Sequence, residues 1–344
     1  MDLNEAIQHL GLSGQLPGLT VAVDRSQDLI ARMRSELSTS WADVRGIDVV
    51  AFGSLARREY TLASDVDYLV LVADLPEDPA APREILGQVK DFLKREAEVE
   101  GAATKDPGSS QLFGVTAGIY DILNQVGLED DTNTTHTRRM EILLESVSLL
   151  DQDLHSRILN STLQRYLALS GAPPNRPPRF LINDVLRYWR QITVDYQAKA
   201  PTGRREPKAV LRYLKLITTR KNLFASSILP LIAPHGDIEM WDAAYLRDMF
   251  SLPPLARLAT VTQSAPPEVR DAVASVFRTI DLFVQRTSDA EMRKHFAEIE
   301  WDKRGEDAGY NELKQAANDL QMAFETILCE WESVRQRTRR YLLL

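Results

Sequence analysis

Four prolines fall within the eight residues 171–178, and they divide the chain. Proline has no backbone N–H to donate and pushes the residue before it out of the helical region, so no helix runs through such a stretch. A chain of 344 residues also exceeds what one ordinary core accommodates. Two domains are expected, over residues 1–170 and 179–344.

The first part mixes two periodicities. Leu29, Ile30, Met33, Leu37 and Trp41 lie at helical spacing over residues 26–41, after which Ile47-Asp48-Val49-Val50-Ala51-Phe52 reads as a strand ending at Gly53. Tyr68-Leu69-Val70-Leu71-Val72 reads as a second strand. A helix is expected over residues 82–99, a loop over 101–110, and a third strand over 111–119. The polar segment 129–133 then leads into a helix carrying Met140, Leu143, Leu144 and Val147, with Thr or Asn available to cap it. Beyond the prolines every apolar stripe is helical. One runs through Leu181, Val185, Tyr188, Ile192 and Tyr196, a second through Val269, Val273, Val276, Ile280 and Phe283, and a third through Leu313, Leu320, Phe324, Ile327 and Trp331. These stripes read as packing faces of a bundle, so the fold class is α+β: a mixed-sheet domain followed by an all-helical one.

The formal charge of −8 argues against wholesale binding of nucleic acid, and no DNA partner is expected. A basic surplus is local, over residues 204–221. Within it Lys208, Arg212 and Lys215 recur at helical spacing opposite Val210, Leu214 and Ile217, which gives either a solvated face or one that receives phosphates. Cys329 is the only cysteine, so no disulfide framework exists, and its place among apolar residues makes it a core position. No apolar run approaches the ~20 residues of a membrane span, and the first residues do not read as a secretion signal. A cytoplasmic location is expected. The five histidines show no metal-ligand spacing, and no phosphate loop of the Walker type or dinucleotide fingerprint is present.

Chemistry concentrates between the first two strands. Alternation along a strand would point Asp65 and Asp67 the same way, and two hard carboxylates on one spot suit Mg²⁺, which keeps water and phosphate oxygens in its other positions. Gly53 ends the preceding strand where a side chain would obstruct a phosphate, and Ser54 offers a hydroxyl and an N–H.

The segment Gly53-Ser54-Leu55-Ala56-Arg57-Arg58-Glu59-Tyr60-Thr61, continued by Ser64-Asp65-Val66-Asp67, resembles the signature of DNA polymerase β-type nucleotidyltransferases. The likeness is to the branch near bacterial PII-protein uridylyltransferase and its nucleotidyltransferase relatives. That resemblance implies a mixed sheet with flanking helices, two Mg²⁺ ions, and transfer of a nucleoside monophosphate from an NTP to an acceptor, here a protein or an RNA such as tRNA. It also implies a third metal-binding carboxylate on a neighbouring strand. Residues 111–119 contain no acid, which leaves Asp131 and Asp121 as candidates. Arg57 and Glu59 match the signature by position, as a phosphate contact with its support or as an ion pair. Lys208, Arg212 and Lys215 are candidates to close over the NTP phosphates or to receive an RNA backbone. The expected activity is Mg²⁺-dependent NMP transfer with pyrophosphate release. Its alternative is a nucleotide-binding regulatory protein that has lost turnover with the third acid.

Overall fold

The computed structural model describes residues 1–73, 76–99, 112–127, 129–171, 173–198, 208–235 and 240–343. The loop expected over 101–110, Gln111 of the expected third strand, and Arg204, Arg205 and Glu206 of the basic stretch lie outside the described residues.

The chain begins with helices α1 (Leu3–His9) and α2 (Pro17–Trp41), then β1 (Ile47–Phe52), the single turn α3 (Gly53–Ala56) and β2 (Tyr68–Val72). Next come α4 (Ala81–Val99), β3 (Val115–Gly118), α5 (Ile119–Asn124), α6 (Asn133–Leu144), β4 (Ser146–Ser148) and α7 (Gln152–Ser170). Helices follow: α8 (Arg179–Ala198), α9 (Ala209–Lys215), α10 (Lys221–Ile232), α11 (Ala243–Phe250) and α12 (Pro254–Val261). The last are α13 (Pro267–Ser288), α14 (Ala290–Glu298), α15 (Ala308–Glu325) and α16 (Glu332–Leu342). The protein is α+β, a mixed four-stranded sheet with helices followed by a helical C-terminal region.

Residues Val21–Arg165 form one compact unit, and Met1–Thr20 together with Tyr166–Leu344 form the other. This division differs from the expected 1–170 and 179–344 in that the first twenty residues cluster with the C-terminal helices. The cause is specific packing. The backbone N–H of Leu19 donates to Asp281 Oδ1 at 2.7 Å, and Gly18 lies so close to α13 that a Cβ there would come within 2.8 Å of the Asp281 carbonyl.

In the mixed unit the strand order is β3-β2-β1-β4. β1 runs antiparallel to β2 (Val49↔Val70, Ala51↔Tyr68) and to β4 (Ala51↔Val147), whereas β2 and β3 are parallel (Leu69↔Val115, Val72↔Gly118). Ile47, Val49, Ala51, Tyr68 and Val70 share one core with Leu29, Ile30, Met33 and Leu37 of α2 and Ile85, Val89 and Phe92 of α4. All of β1 is buried, and a strand covered on both faces reads as a continuous apolar run, which Ile47–Phe52 does except at Asp48. The Thr132 hydroxyl caps α6 by accepting from the Thr135 N–H.

In the helical unit α13 and α15 pack along their apolar stripes, with Val269, Val273, Val276, Ile280 and Phe283 all buried. Cys329 is exposed, which corrects its expected place in the core. It lies in a π-helical turn, Thr326–Glu330, where the residues that turn inward are Ile327 and, just beyond, Trp331.

Candidate active site

The strand β1 ends because Gly53 adopts φ +65°, a left-handed conformation that L side chains resist, and the chain turns at once into α3. Three backbone bonds close the turn that follows: Arg57 N–H to Gly53 O, Arg58 N–H to Leu55 O, and Glu59 N–H to Ser54 O. Arg58 also takes a left-handed φ of +64° there, a strain of about 1–2 kcal/mol for a residue with a Cβ. The reversal brings Glu59 back to Arg57, whose Nε donates to Glu59 Oε2 at 2.7 Å and whose Nη1 donates to Glu145 Oε2.

Arg57, Glu59 and Glu145 are all buried. Of the two roles open to Arg57, the geometry gives the ion pair: two carboxylates already flank one guanidinium, so no net positive charge is left for a phosphate. The triad ties the α3 turn to the end of α6. Ser54 is half-buried on α3.

Asp65 and Asp67 do not lie within β2, as the alternation argument assumed. The strand begins at Tyr68. Only the carbonyl of Asp67 joins the ladder, accepting from the Phe52 N–H at 2.9 Å, while Asp65 sits earlier in the connecting loop and is exposed. The bond to Phe52 fixes Asp67 directly beside the Gly53 turn. A Cβ built on Gly53 would stand 3.4 Å from Asp67 Oδ2, so the missing side chain of Gly53 is the space into which that carboxylate opens. The turn and the second aspartate therefore share one corner of the sheet.

The third strand brings no acid to that corner. Gly114 N–H donates to Tyr68 O, and stepping the Leu69↔Val115 register back by two places Phe113 beside Asp67. The Phe113 ring accordingly packs on Phe52, with centroids 5.5 Å apart. Asp121 lies beyond the other end of β3, near Gly118, which pairs with Val72. Five residues of strand separate Val72 from Asp67, about 17 Å at ~3.3 Å per residue.

Asp131 is buried in a two-pronged ion pair with Arg139, at 2.9 and 3.1 Å, and also accepts from the Gly127 N–H and the Thr135 hydroxyl. Arg139 is fully buried and donates as well to the Ile122 carbonyl, so the pair clamps α5 to α6. Both oxygens of Asp131 are thus engaged in holding the fold.

Among the described residues no group of three or more His, Cys, Asp or Glu side chains is arranged to hold a metal ion. Asp67 nevertheless fits Mg²⁺ in the form that relies on substrate, as a half-buried carboxylate beside Gly53, where phosphate oxygens can approach, with the exposed Asp65 two residues earlier in the chain as the second candidate. Residues 30–106 match the model of the nucleotidyltransferase domain family. The matched nucleotidyltransferase region contains Gly53, Ser54, Asp65 and Asp67 and ends before β3, so it covers the half of the site that the structure assembles. It is consistent with the polymerase β-type superfamily and supports NMP transfer in general terms. No curated protein matches the chain. No described helix is long and apolar enough to cross a membrane.

The remaining basic candidates belong to the helical unit. Lys208 is exposed, with a left-handed φ of +73°, just before α9, and Arg212 and Lys215 are half-buried on that helix.

On the sheet itself lies a buried titratable group that sequence reasoning missed. Asp48 is fully buried on β1, where its Oδ1 accepts from the Ser148 hydroxyl and from the Leu150 and Asp151 N–H groups. Burial pushes its carboxyl up to about 7. His155 Nε2 lies 2.8 Å from Ser146 Oγ, and burial, with Arg34 nearby, brings its imidazole down to about 4. Burial and the same Arg34 lower the Arg58 guanidinium to about 10. The available signal was Asp48 itself, a lone acid in an apolar strand.

Proposed function

We propose that this protein transfers a nucleoside monophosphate from an NTP to a protein or RNA nucleophile, releasing pyrophosphate. The observation that carries the reading is the Asp67 carboxylate opening onto the bare Gly53 turn, within a region that matches a nucleotidyltransferase domain. Asp67 and Asp65 are the residues that would hold Mg²⁺. When bound, Mg²⁺ neutralises phosphate charge and favours departure of pyrophosphate. Gly53 leaves room for a phosphate against the backbone, and the Ser54 hydroxyl, on the first turn of α3, is the donor assigned to it. Phe52 and Phe113 wall the corner with apolar surface, which strengthens the electrostatic contacts made there.

The test is to incubate the protein with each labelled NTP, Mg²⁺ and cell extract, beside its Asp67→Asn variant. Label on a macromolecule that falls at least a hundredfold in the variant, with an unchanged circular dichroism spectrum, supports the reading. Equal labelling by the variant overturns it.

A second reading is favoured by Phe113, which occupies the register position where the family pattern implies an acid. In that reading the chain binds nucleotide without turning it over. Calorimetry with NTP and Mg²⁺, run beside a pyrophosphate-release assay, separates the two.

A further inference from the structure

The helical unit contains a cavity of about 360 Å³ between the start of α8 and the end of α16, lined by Arg179, Ile182, Asn183, Arg340 and Tyr341. Both arginines address one aromatic ring: the guanidinium carbon of Arg179 is 5.3 Å from the Tyr341 centroid and that of Arg340 is 5.8 Å. Both side chains are exposed, and among the described residues neither makes an ion pair or a hydrogen bond. Here two guanidinium groups converge on one ring, and among the described residues no acid lines the space between them.

The placement of Arg179 adds to this. It is the first residue of a twenty-residue helix whose first turn carries no acid. The helix dipole favours anions at that end, by roughly 0.3–1 kcal/mol for a charged group, so a cation there is held against its local field. An anion between Arg179 and Arg340 relieves both the dipole mismatch and the repulsion of like charges. The guanidinium fork matches phosphate oxygens in pairs. The cavity exceeds a bare phosphate and sits at the low end of small-ligand sites, about 300–1,000 Å³. Its other functional groups are a flat ring suited to stacking and the Asn183 amide, which both donates and accepts.

We infer that this cavity binds a nucleotide unit, with its phosphate between Arg179 and Arg340 and its base against Tyr341 and Asn183. The unit comes either from a free mononucleotide or from single-stranded RNA. Arg176 and Arg339, exposed neighbours in the chain that also lack partners among the described residues, favour the RNA source. The site lies wholly within the helical unit and does not depend on the transferase reading.

Binding of a fluorescent octauridylate and, by calorimetry, of UMP and AMP is measured on the full chain without NTP or Mg²⁺. The same titrations are run on the Arg179→Gln/Arg340→Gln double variant and on Tyr341→Leu. Octauridylate affinity that drops tenfold or more in both variants supports the RNA source. The salt slope should then shrink in the arginine variant by about 0.7, the loss of one phosphate contact on a single strand. Binding of mononucleotide alone, lost in the same variants, supports the free nucleotide. No binding of any probe, or equal binding by the double variant, overturns the proposal. Binding that the arginine variant loses and Tyr341→Leu retains overturns the nucleotide assignment, because it reduces the ligand to phosphate. Labelling by the Asp67 site is read separately, so failure of one leaves the other standing.

Discussion

Asp67 Oδ2 stands 3.4 Å from the point that a Cβ on Gly53 would occupy, and Gly53 itself holds φ +65°. A Gly53→Ala variant therefore meets two obstacles, one conformational and one at the carboxylate. The left-handed backbone costs about 1–2 kcal/mol for a residue with a Cβ. The methyl then fills the opening in front of Asp67. We expect a matching loss of stability in urea denaturation and at least a tenfold loss of NTP-dependent labelling. Wild-type labelling by this variant would show that the turn is not where phosphate approaches.

Arg57 separates a structural role from a phosphate-binding one. Arg57→Ala leaves Glu59 and Glu145 buried without their shared cation, and breaking a buried ion pair from one side costs roughly 3–5 kcal/mol. The urea midpoint should fall accordingly. A variant of normal stability that only weakens NTP binding would restore the phosphate role.

Asp131→Ala is expected to behave in the same way. It strands Arg139 at the α5–α6 junction, with a similar loss of stability and faster amide hydrogen exchange in α6. Per folded molecule, the Mg²⁺ dependence of labelling should be unchanged. A shifted Mg²⁺ dependence would return Asp131 to the metal site.

Asp48 and His155 give opposed pH dependences. The folded Asp48 value of about 7 lies above its ordinary 3.8, so between those values the folded state keeps a proton that the unfolded state releases, and stability falls as pH rises. The folded His155 value of about 4 lies below its ordinary 6.5, so stability is lost as pH falls through that window. Each slope is at most about 1.4 kcal/mol per pH unit, and the two oppose each other between about 4 and 6.5. Asp48→Asn should leave stability rising with pH over that range relative to wild type, and His155→Gln should leave it falling. Urea midpoints at three pH values across the window check both signs, and parallel profiles for the two variants would refute the assignment.

Local pattern made much of this architecture legible. Ile47–Phe52 and Tyr68–Val72 coincide with the strands read from the sequence because apolar runs of that length, punctuated by glycine, have few alternatives. The α13 stripe buries as spaced, the third stripe buries along α15 and the π-helical turn after it, and on α8 Leu181, Val185 and Tyr188 bury while Ile192 and Tyr196 stay half-exposed. Gly53 and Asp67 meet because the antiparallel register of β1 and β2 sets Phe52 opposite Asp67. What local pattern did not contain was distant partnership. Arg57 finds Glu145 across 88 residues, whereas the pairing of Asp131 with Arg139, eight residues on, was within reach of local reading. Asp65 was misplaced because alternation was extended past the last ladder bond, which falls at Asp67.

The bond from Leu19 to Asp281 spans 262 residues. At about 5–20 residues per second a ribosome takes roughly 13–50 s to cover that distance. Throughout that interval the first twenty residues of the nascent chain wait for a partner not yet made, while Val21–Arg165 is already synthesised. Trimming the amino terminus to Thr20 would therefore remove nothing from the Gly53–Asp67 corner and still leave Asp281, more than two hundred residues downstream, without the backbone N–H it accepts from.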